Sequence, residues 1–428
     1  MKSSSDSLEI FGIDERIFGI GAKILGLMRE LMRRNRNRKR GVLILLTVFM
    51  AFMGLNGQAI RIGLYHDEVV RSVAVSCTGG AYIIMVGDER MGEFKEGEIL
   101  FATLEDDRVR LYNANRVIGS FEMIELRSIN LTSTFRIRPV IPALDSRSYD
   151  DGLLISSGKD YLNIINQVDS DKYIAGVLES EVGPNAEDEL YKAHALLTRT
   201  YLLNHFEKHK EEGFSLCDGV HCQAYHGRIL FNPEIARSVF ETSGEVVTDF
   251  NYRLISSVYH SNSGGETQRA SDVWLKDVDY LQAVMDPYSL DQPNAKWYDT
   301  IYFDEWKAYL LDKGMGSVKK TPDELLYVQQ RHRKKYFVLD EDSLLMTTIR
   351  DDWGWRSTFF NMFPEEGDKI VLWGKGYGHG VGLSQEGAMY MAKQGFNYKD
   401  ILRFYFFNIR IMHYEDLPRS SLPDLGYD

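Results

Sequence analysis

The sequence is poor in cysteine and proline and has only one long apolar run. Three cysteines and ten prolines among 428 residues cannot build a disulfide scaffold or a proline-rich low-complexity chain. With 44% hydrophobic, 12% aromatic and 26% charged residues, the composition is that of a folded globular protein. A chain of this length has room for two or three domains and can bury a core without disulfides.

Basic residues are concentrated at the N-terminus. Residues 1–40 contain 10 Lys and Arg against 5 Asp and Glu, whereas the remainder contains 40 basic against 57 acidic residues. A nucleic-acid-binding protein carries its basic field on the folded part of the chain, where it contacts phosphates. The acidic remainder therefore argues against a nucleic-acid partner.

An uncharged run at 41–59 follows the basic segment at 1–40. A basic flank, an apolar stretch and small residues are typical of a signal peptide, here with Gly57 and Ala59 preceding a cut. The run is also long enough for an uncleaved single membrane anchor. Both interpretations predict an exported protein, periplasmic or at the cell surface, that meets the membrane only through this segment.

The rest of the chain predicts an α+β fold. Short alternating stretches over 60–145 predict a β-rich N-terminal module, and 146–415 predict a mixed α+β domain. Residues 416–428 are predicted to form a C-terminal tail.

Helix signals within the mixed domain are local. Apolar periodicity predicts a helix over 186–210, which Asn185 would cap. Further helices are predicted near 384–394 and 398–407, the first with Ser384 as its N-cap.

Two carboxylates near residue 180 are a first candidate for acid–base chemistry. Glu179 and Glu181 flank Ser180, with Leu178 and Val182 outside them. Apolar neighbours can keep a carboxyl group protonated, as a general acid requires. A surface acidic pair is the alternative interpretation.

Cys217, His221 and Cys222 are a second candidate. Soft thiolate and imidazole groups at this spacing suit zinc, but a Cys217–Cys222 disulfide and a pair of reduced thiols also fit the sequence. A tetrahedral site needs a fourth ligand, from His226 or a distant residue. No H-E-x-x-H helix accompanies them, which argues against a zinc hydrolase.

Two glycine-bearing loops complete the candidates. The string 259–265 follows a strand-like stretch, and 374–382 alternates glycine with other residues. Neither has the spacing of a phosphate loop or of a serine nucleophile elbow. Dense glycines let backbone approach a ligand closely, so both loops predict a site lined by glycine and histidine.

Several segments together resemble the stage II sporulation protein D family, which includes the LytB amidase enhancers. They occur in the family's order over roughly 146–410, and the match over 60–145 is weaker. The segments that carry the resemblance are DKYIAGVLESEVG, KAHALLTRTYLLNH, CDGVHCQAYHG, VYHSNSGGETQRASDVW, DVDYLQAV, RDDWGWRSTFF and GYGHGVGLSQEGAMYMAKQGFNYKDILRFYF.

The resemblance implies a catalytic domain with a glycan-binding cleft. It implies a lytic transglycosylase that cleaves the MurNAc–GlcNAc bond of denuded peptidoglycan strands and leaves 1,6-anhydro-MurNAc ends. Glu181 inherits the general acid/base role, because the family's catalytic glutamate lies in a Ser-Glu-Met-like step that reads Ser180-Glu181-Val182 here. The alternative is a non-catalytic glycan-binding enhancer of an N-acetylmuramoyl-L-alanine amidase.

The same resemblance assigns supporting residues. Catalysis would need no cofactor, while Cys217, His221 and Cys222 correspond to a family motif at which some members bind a structural zinc. The remaining residues are expected to contact substrate or to orient the acid: Arg199, Tyr201, His260, Ser261, Ser263, Gly264, Gly265, His379, Gly380 and Gln385.

Overall fold

A computed structural model describes residues 59–422 except 131, 231, 275 and 276. The predicted leader or anchor at 41–59 lies outside the described residues but for its last position. Within the described part, no helix is both long and apolar enough to cross a bilayer.

The first half of the described chain is mostly strand. Burial alternates along strands such as Ile99–Glu105 and Arg108–Tyr112, which is the pattern expected of sheets with one face on a core. The strands are β1 (Ala59–Gly63), β2 (Ser72–Gly79), β3 (Ala81–Val86), β4 (Glu89–Lys95), β5 (Ile99–Glu105), β6 (Arg108–Tyr112), β7 (Val117–Phe121), β8 (Met123–Ser128), β9 (Thr134–Ile141), β10 (Arg147–Asp150), β11 (Gly152–Ser157) and β12 (Leu162–Asp169).

The second half mixes helices with short strands. The helices are α1 (Ser170–Glu181), α2 (Asp188–Asn204), α3 (Pro233–Glu241), α4 (Ala270–Val273), α5 (Phe303–Asp312), α6 (Met346–Trp353), α7 (Gln385–Lys393) and α8 (Tyr398–Tyr405). The strands are β13 (Leu216–Cys217), β14 (Glu245–Thr248), β15 (Tyr259–His260), β16 (Lys296–Tyr302), β17 (Tyr336–Leu339), β18 (Asp342–Leu345), β19 (Phe360–Glu365), β20 (Lys369–Lys375), β21 (Leu383–Ser384) and β22 (Arg410–His413). The predicted α+β class is confirmed.

Two larger sheets build the β-rich half. One has seven strands in the order β13-β1-β12-β11-β8-β3-β4, and the other has six in the order β10-β9-β2-β5-β6-β7. Because β1 pairs with β12 and β13, the seven-stranded sheet crosses the predicted module boundary at residue 145. One hydrophobic core, from Ile60 to Val239, also spans this position.

Helix α2 is the centre of the helical layer and contacts α1, α3, α7 and α8. It is shorter than the predicted helix over 186–210, and the predicted cap was wrong. Asn185 has a positive φ of 65° and lies outside the helix, whose N-cap is Glu187. The Tyr191 hydroxyl holds the preceding turn, since it donates to Gly183 O and accepts from Ala186 N.

A separate hydrophobic core supports the region around 297–372. Here β16, β20 and β19 form a three-stranded antiparallel sheet. Its inner face carries Trp297, Leu372 and Met362 into that core. The outer face stays open to solvent.

Candidate functional site

Glu181 is the last residue of α1. The Asp169 side chain caps the start of this helix by accepting from the backbone N–H groups of Asp171 and Lys172. The Glu181 Oε1 atom accepts a hydrogen bond from Ala224 N at 2.9 Å. A residue 43 positions away in sequence therefore orients this carboxylate.

Two further hydrogen bonds hold the same loop to the last turn of α1. His226 N donates to Ser180 Oγ at 3.0 Å, and Leu230 N donates to Glu179 Oε2 at 3.1 Å. The Glu179 carboxylate is thus engaged with the loop backbone, two residues from Glu181. The two carboxylates of the sequence motif have different partners.

Tyr259 lies beside Glu181. Burial raises the pKa of Tyr259 well above its usual value, and the charge of Glu181 and a hydrogen bond to it raise the pKa further. The phenol therefore stays protonated and can donate to the carboxylate. The His194 ring meets the Tyr259 ring edge-on, with centroids 4.8 Å apart. Tyr259 belongs to the loop string of the sequence analysis, but its contact with Glu181 was not predicted.

Gln385 reaches the same helix end from the start of α7, three residues after the glycine-rich loop. Its Nε2 donates to Glu181 O at 3.3 Å, across 204 residues of sequence. Gln385 is the first residue of α7, and Ser384 is the N-cap whose side chain accepts from Gly387 N. The predicted Ser384 cap is confirmed, and Gln385 follows it directly at the start of α7.

His379 and His260 are close together but bond to backbone. His379 Nε2 lies 2.9 Å from Tyr259 O, and His260 Nδ1 lies 3.1 Å from Val381 O, with ring centroids 5.4 Å apart. Burial lowers the pKa of His379 to about 4 and lowers that of His260 well below its usual value. Both imidazoles are therefore neutral near pH 7. The pair ties β15 to the glycine-rich loop beside Glu181.

The serines of the 259–265 string differ in exposure. The Ser263 side chain is buried, 2.7 Å from both Asp286 Oδ2 and Ser289 Oγ. Ser261 Oγ accepts from Asn294 Nδ2 at 3.2 Å. The Ser263 contacts favour a role in holding the loop, and substrate contact by either serine stays a prediction.

The predicted glycines lie where chains approach closely. Gly264 and Gly265 have φ of 69° and 100°, a region that favours glycine. A Cβ on Gly264 would lie 2.6 Å from the Lys375 backbone, and one on Gly380 would lie 2.9 Å from Arg333. These glycines permit the contact between the two predicted loops and their neighbours.

Arg199 is buried inside the helical layer. Its guanidinium donates to Thr242 O at 2.8 Å and Glu245 O at 3.0 Å, and it pairs with Asp171 at 3.1 Å. This environment favours a packing role over the predicted substrate contact. Tyr201, also on α2, stacks on His205 with centroids 4.1 Å apart.

The predicted metal ligands come together, and the structure adds a fourth. The ligand atoms of His209, Cys217, His221 and Cys222 all lie within 4.8 Å of one another. Cys222 Sγ is 3.4 Å from His209 Nε2, and Cys217 Sγ is 3.7 Å from His221 Nδ1. Two sulfur and two imidazole ligands are a donor set that suits structural zinc. His226 is not part of this group.

The thiols of Cys217 and Cys222 are free. The hydrogen bond between them raises the pKa of Cys217, with burial adding to the effect, and lowers the pKa of Cys222. One thiol of the pair is thus prepared to be a thiolate, the form that binds metal.

A carboxylate orients the fourth ligand. Glu212 Oε1 lies 2.5 Å from His209 Nδ1, and its other oxygen lies 3.0 Å from His66 Nε2. This contact directs His209 Nε2 towards Cys222. A carboxylate behind a ligating histidine is a common outer-shell arrangement in metal sites.

Comparisons with known proteins agree with the resemblance seen in the sequence. Residues 158–248, which contain Glu181 and all four candidate metal ligands, match the family model SpoIID, described as stage II sporulation protein. An uncharacterized protein of Brachyspira hyodysenteriae is 26% identical over 285 residues, covering 66% of this chain and 77% of its own.

Two relatives from Bacillus subtilis carry functional names. The stage II sporulation protein D is 27% identical over 259 residues, which is 56% of this chain and 74% of its own. The amidase enhancer is 27% identical over 285 residues, which is 54% of this chain and 39% of its own. The predicted similarity to stage II sporulation protein D and the amidase enhancers is confirmed.

Proposed function

We propose that this protein is a lytic transglycosylase that cleaves denuded peptidoglycan glycan strands, with Glu181 as its general acid and base. The observation that carries the proposal is the convergence on one carboxylate. Ala224 N, the Tyr259 phenol and the Gln385 side chain all meet Glu181 or its backbone. Active-site groups are held in this way, by several elements that fix one side chain.

The proposed reaction needs one carboxyl group. Protonated Glu181 donates its proton to the glycosidic oxygen between MurNAc and GlcNAc, and that C–O bond breaks as an oxocarbenium-like centre forms at C1 of MurNAc. The Glu181 carboxylate then takes the proton of the C6 hydroxyl, whose oxygen bonds to C1. The product is a 1,6-anhydro sugar, water is not consumed, and Glu181 is protonated again.

The surroundings of Glu181 support the carboxylate state of this cycle. Ala224 N donates a hydrogen bond to Glu181 Oε1, and the protonated Tyr259 phenol beside this carboxylate can donate another after the first proton transfer. General acid–base catalysis of this kind contributes about 10²- to 10⁴-fold. Binding and orientation of the strand supply the remainder.

We also propose that His209, Cys217, His221 and Cys222 hold a structural zinc ion. When bound, zinc would stabilise the fold of the 209–222 segment and would take no part in the chemistry. Ala224 follows Cys222 by two residues, so the metal site would fix the residue that orients Glu181.

A cell-wall role outside the cytoplasm is supported by the relatives named for sporulation and for amidase enhancement. The similarity to the amidase enhancer also favours a second candidate function, glycan binding that assists an N-acetylmuramoyl-L-alanine amidase. Fractionation of cells with antibody detection would test location, and recovery in the cytoplasm would contradict it.

Mass spectrometry of denuded glycan strands incubated with the full chain tests the activity. We expect 1,6-anhydro-MurNAc ends from the wild type and none from Glu181→Gln. The matched control is Glu179→Gln, which removes the neighbouring carboxylate on the same helical turn and should retain activity.

The outcomes separate the two candidate functions. If all three proteins release nothing but bind strands and raise the activity of an added amidase, the enhancer function replaces the transglycosylase. If Glu181→Gln is as active as the wild type, Glu181 is not the acid. Circular dichroism melting curves check that each variant is folded.

A further inference from the structure

The outer face of the three-stranded sheet β16-β20-β19 exposes aromatic side chains in a row. Tyr298 and Trp373 are directly opposite each other in the strand register and are 68% and 57% exposed. Their ring centroids are 6.3 Å apart, and Phe363 continues the row with its centroid 5.1 Å from that of Trp373. Large exposed aromatic patches are unusual on soluble proteins unless something binds there.

Two lysines stand at the end of this row. Lys296 and Lys375 are both exposed and are paired across β16 and β20, two residues beyond Tyr298 and Trp373 and on the same face. No carboxylate among the described residues forms an ion pair with either one, and Lys375 Nζ lies 4.8 Å above the Phe359 ring. Like charges directly opposite each other destabilise a sheet. An anion bound between them would relieve this repulsion.

Tyr298, Trp373 and the two lysines border one open cleft of about 300 Å³. Gly264 and Leu290 also line it. Ligand clefts combine apolar surface with a few placed polar groups, and this one has that composition.

The cleft adjoins the loops that surround Glu181. Gly264 follows Tyr259 by five residues, so the two are separated by at most about 18 Å. After β20 the chain reaches Tyr377, whose backbone forms a two-way bridge with Asn262. It then reaches His379, which contacts Tyr259 O.

We propose that Tyr298, Trp373, Lys296 and Lys375 form a subsite that binds the glycan strand beyond the scissile bond. The inference rests on the proposed function and names what selects its substrate. Aromatic rings pack against the apolar C–H faces of sugar rings. Each MurNAc of a denuded strand carries a free lactyl carboxylate, which the two ammonium groups bind. A strand that retains its stem peptides has an uncharged amide at this position, so the lysines select denuded strands.

Binding measured in a Glu181→Gln background tests the subsite, because strands then stay intact. The probes are denuded glycan strands and a β-1,4-linked N-acetylglucosamine hexamer, which has the same backbone without lactyl groups. We expect Trp373→Ala and Tyr298→Ala each to weaken binding of both probes about tenfold or more. We expect Lys296→Gln/Lys375→Gln to weaken binding of denuded strands only, with a loss that shrinks at high salt.

Matched controls remove the same types of side chain at other exposed positions. Phe240→Ala removes an aromatic ring that is 79% exposed on α3, and Lys319→Gln/Lys320→Gln removes two adjacent exposed lysines. Both should bind like the parent.

The outcomes of this experiment distinguish failure of the subsite from failure of the proposed function. If the wild type forms anhydro ends and the aromatic and lysine variants bind strands as tightly as their parent, the subsite alone is refuted. Loss of binding in those variants, without anhydro ends from the wild type, would support the subsite and refute the transglycosylase. Equal losses for both probes in the lysine variant would refute carboxylate recognition.

Discussion

Ala224 N donates a hydrogen bond to Glu181 Oε1 at 2.9 Å, and Ala224 stands only two residues after Cys222. The backbone that orients the candidate acid is therefore the backbone that leaves the candidate metal cluster. His226 and Leu230 extend the same connection to the preceding residues of α1. Stability of the cysteine–histidine segment and geometry of the acid are linked through this loop.

The first prediction concerns zinc. We expect the purified full chain to contain zinc by elemental mass spectrometry, and His209→Ala and Cys222→Ser to lose it. Because the loop then loses its anchor, both variants should melt at lower temperature and form anhydro ends at least about tenfold more slowly. Cys77→Ser, which changes a buried free cysteine of β2, is the control. A metal-free wild type with the stability of the two variants would refute the site.

The second prediction concerns Tyr259. Tyr259→Phe removes the hydroxyl next to Glu181 and keeps the ring, so strand affinity should not change. A hydrogen bond to a charged group is worth about 1.5–3 kcal/mol, which predicts a rate about 10- to 150-fold lower. Because the pKa of Tyr259 is raised, the phenol is protonated throughout the assay range and the ratio of the two rates should not vary between about pH 5 and about pH 9.

Tyr161→Phe, at an exposed position between β11 and β12, serves as the control for loss of a phenol. A Tyr259→Phe rate equal to that of the wild type would exclude the hydroxyl from the reaction. A loss of strand affinity without loss of rate would make Tyr259 a binding residue.

The third prediction concerns Arg333, which joins the 259–265 loop to the region around 297–372 that has its own hydrophobic core. Its guanidinium donates to Ser263 O and Glu266 O, each at 2.7 Å, and to Thr358 Oγ1 at 3.1 Å. Lysine cannot make this set of bonds, and each unsatisfied buried acceptor costs about 1–3 kcal/mol. Arg333→Lys should therefore lower the free energy of unfolding by about 2–4 kcal/mol in urea titrations.

Arg331→Lys makes the same exchange at an exposed position two residues away and should be neutral. If both variants unfold at the same urea concentration as the wild type, the bonds of Arg333 do not stabilise the protein.

The fourth prediction concerns pH and His194. Burial lowers the pKa of His194 from 6.5 to about 4, and its Nε2 has no hydrogen-bond partner. Between about pH 4 and about pH 6.5, His194 is therefore protonated in the unfolded chain but neutral in the folded protein. The free energy of unfolding should therefore fall as the pH is lowered from about 6.5 towards 4, by about 3 kcal/mol at most from this residue.

Urea titrations at a series of pH values measure this slope. His194→Phe keeps a ring against Tyr259 and removes the titrating group. Its free energy of unfolding should therefore decrease less over this pH range, by about 3 kcal/mol at most. Identical slopes in the two proteins would show that His194 does not couple folding to pH.

Local signals in the sequence were sufficient for much of the site. Glu181 lies in a short recognisable step, and three of the four clustered ligands lie within the six residues from Cys217 to Cys222. The Ser384 cap was also predictable, because capping depends on neighbours within one helical turn. The start of α2 near Asn185 was not predictable, because the Tyr191 hydroxyl forms hydrogen bonds with the turn that precedes the helix and holds that turn in place.

Long-range contacts account for what the sequence left undetermined. His209 joins the metal cluster because the chain turns back after α2 and β13 pairs with β1, and no local pattern marks that return. Tyr298 and Trp373, 75 residues apart, form the exposed row only through the register of β16 and β20.

By itself, the sequence determined the α+β class, the similarity to a family and the position of the candidate acid, because these depend on composition and on short contiguous motifs. Only the tertiary structure decided what surrounds that acid. Ala224, Tyr259 and Gln385 reach Glu181 from distant segments, and such contacts follow from sheet pairing and helix packing over the whole chain.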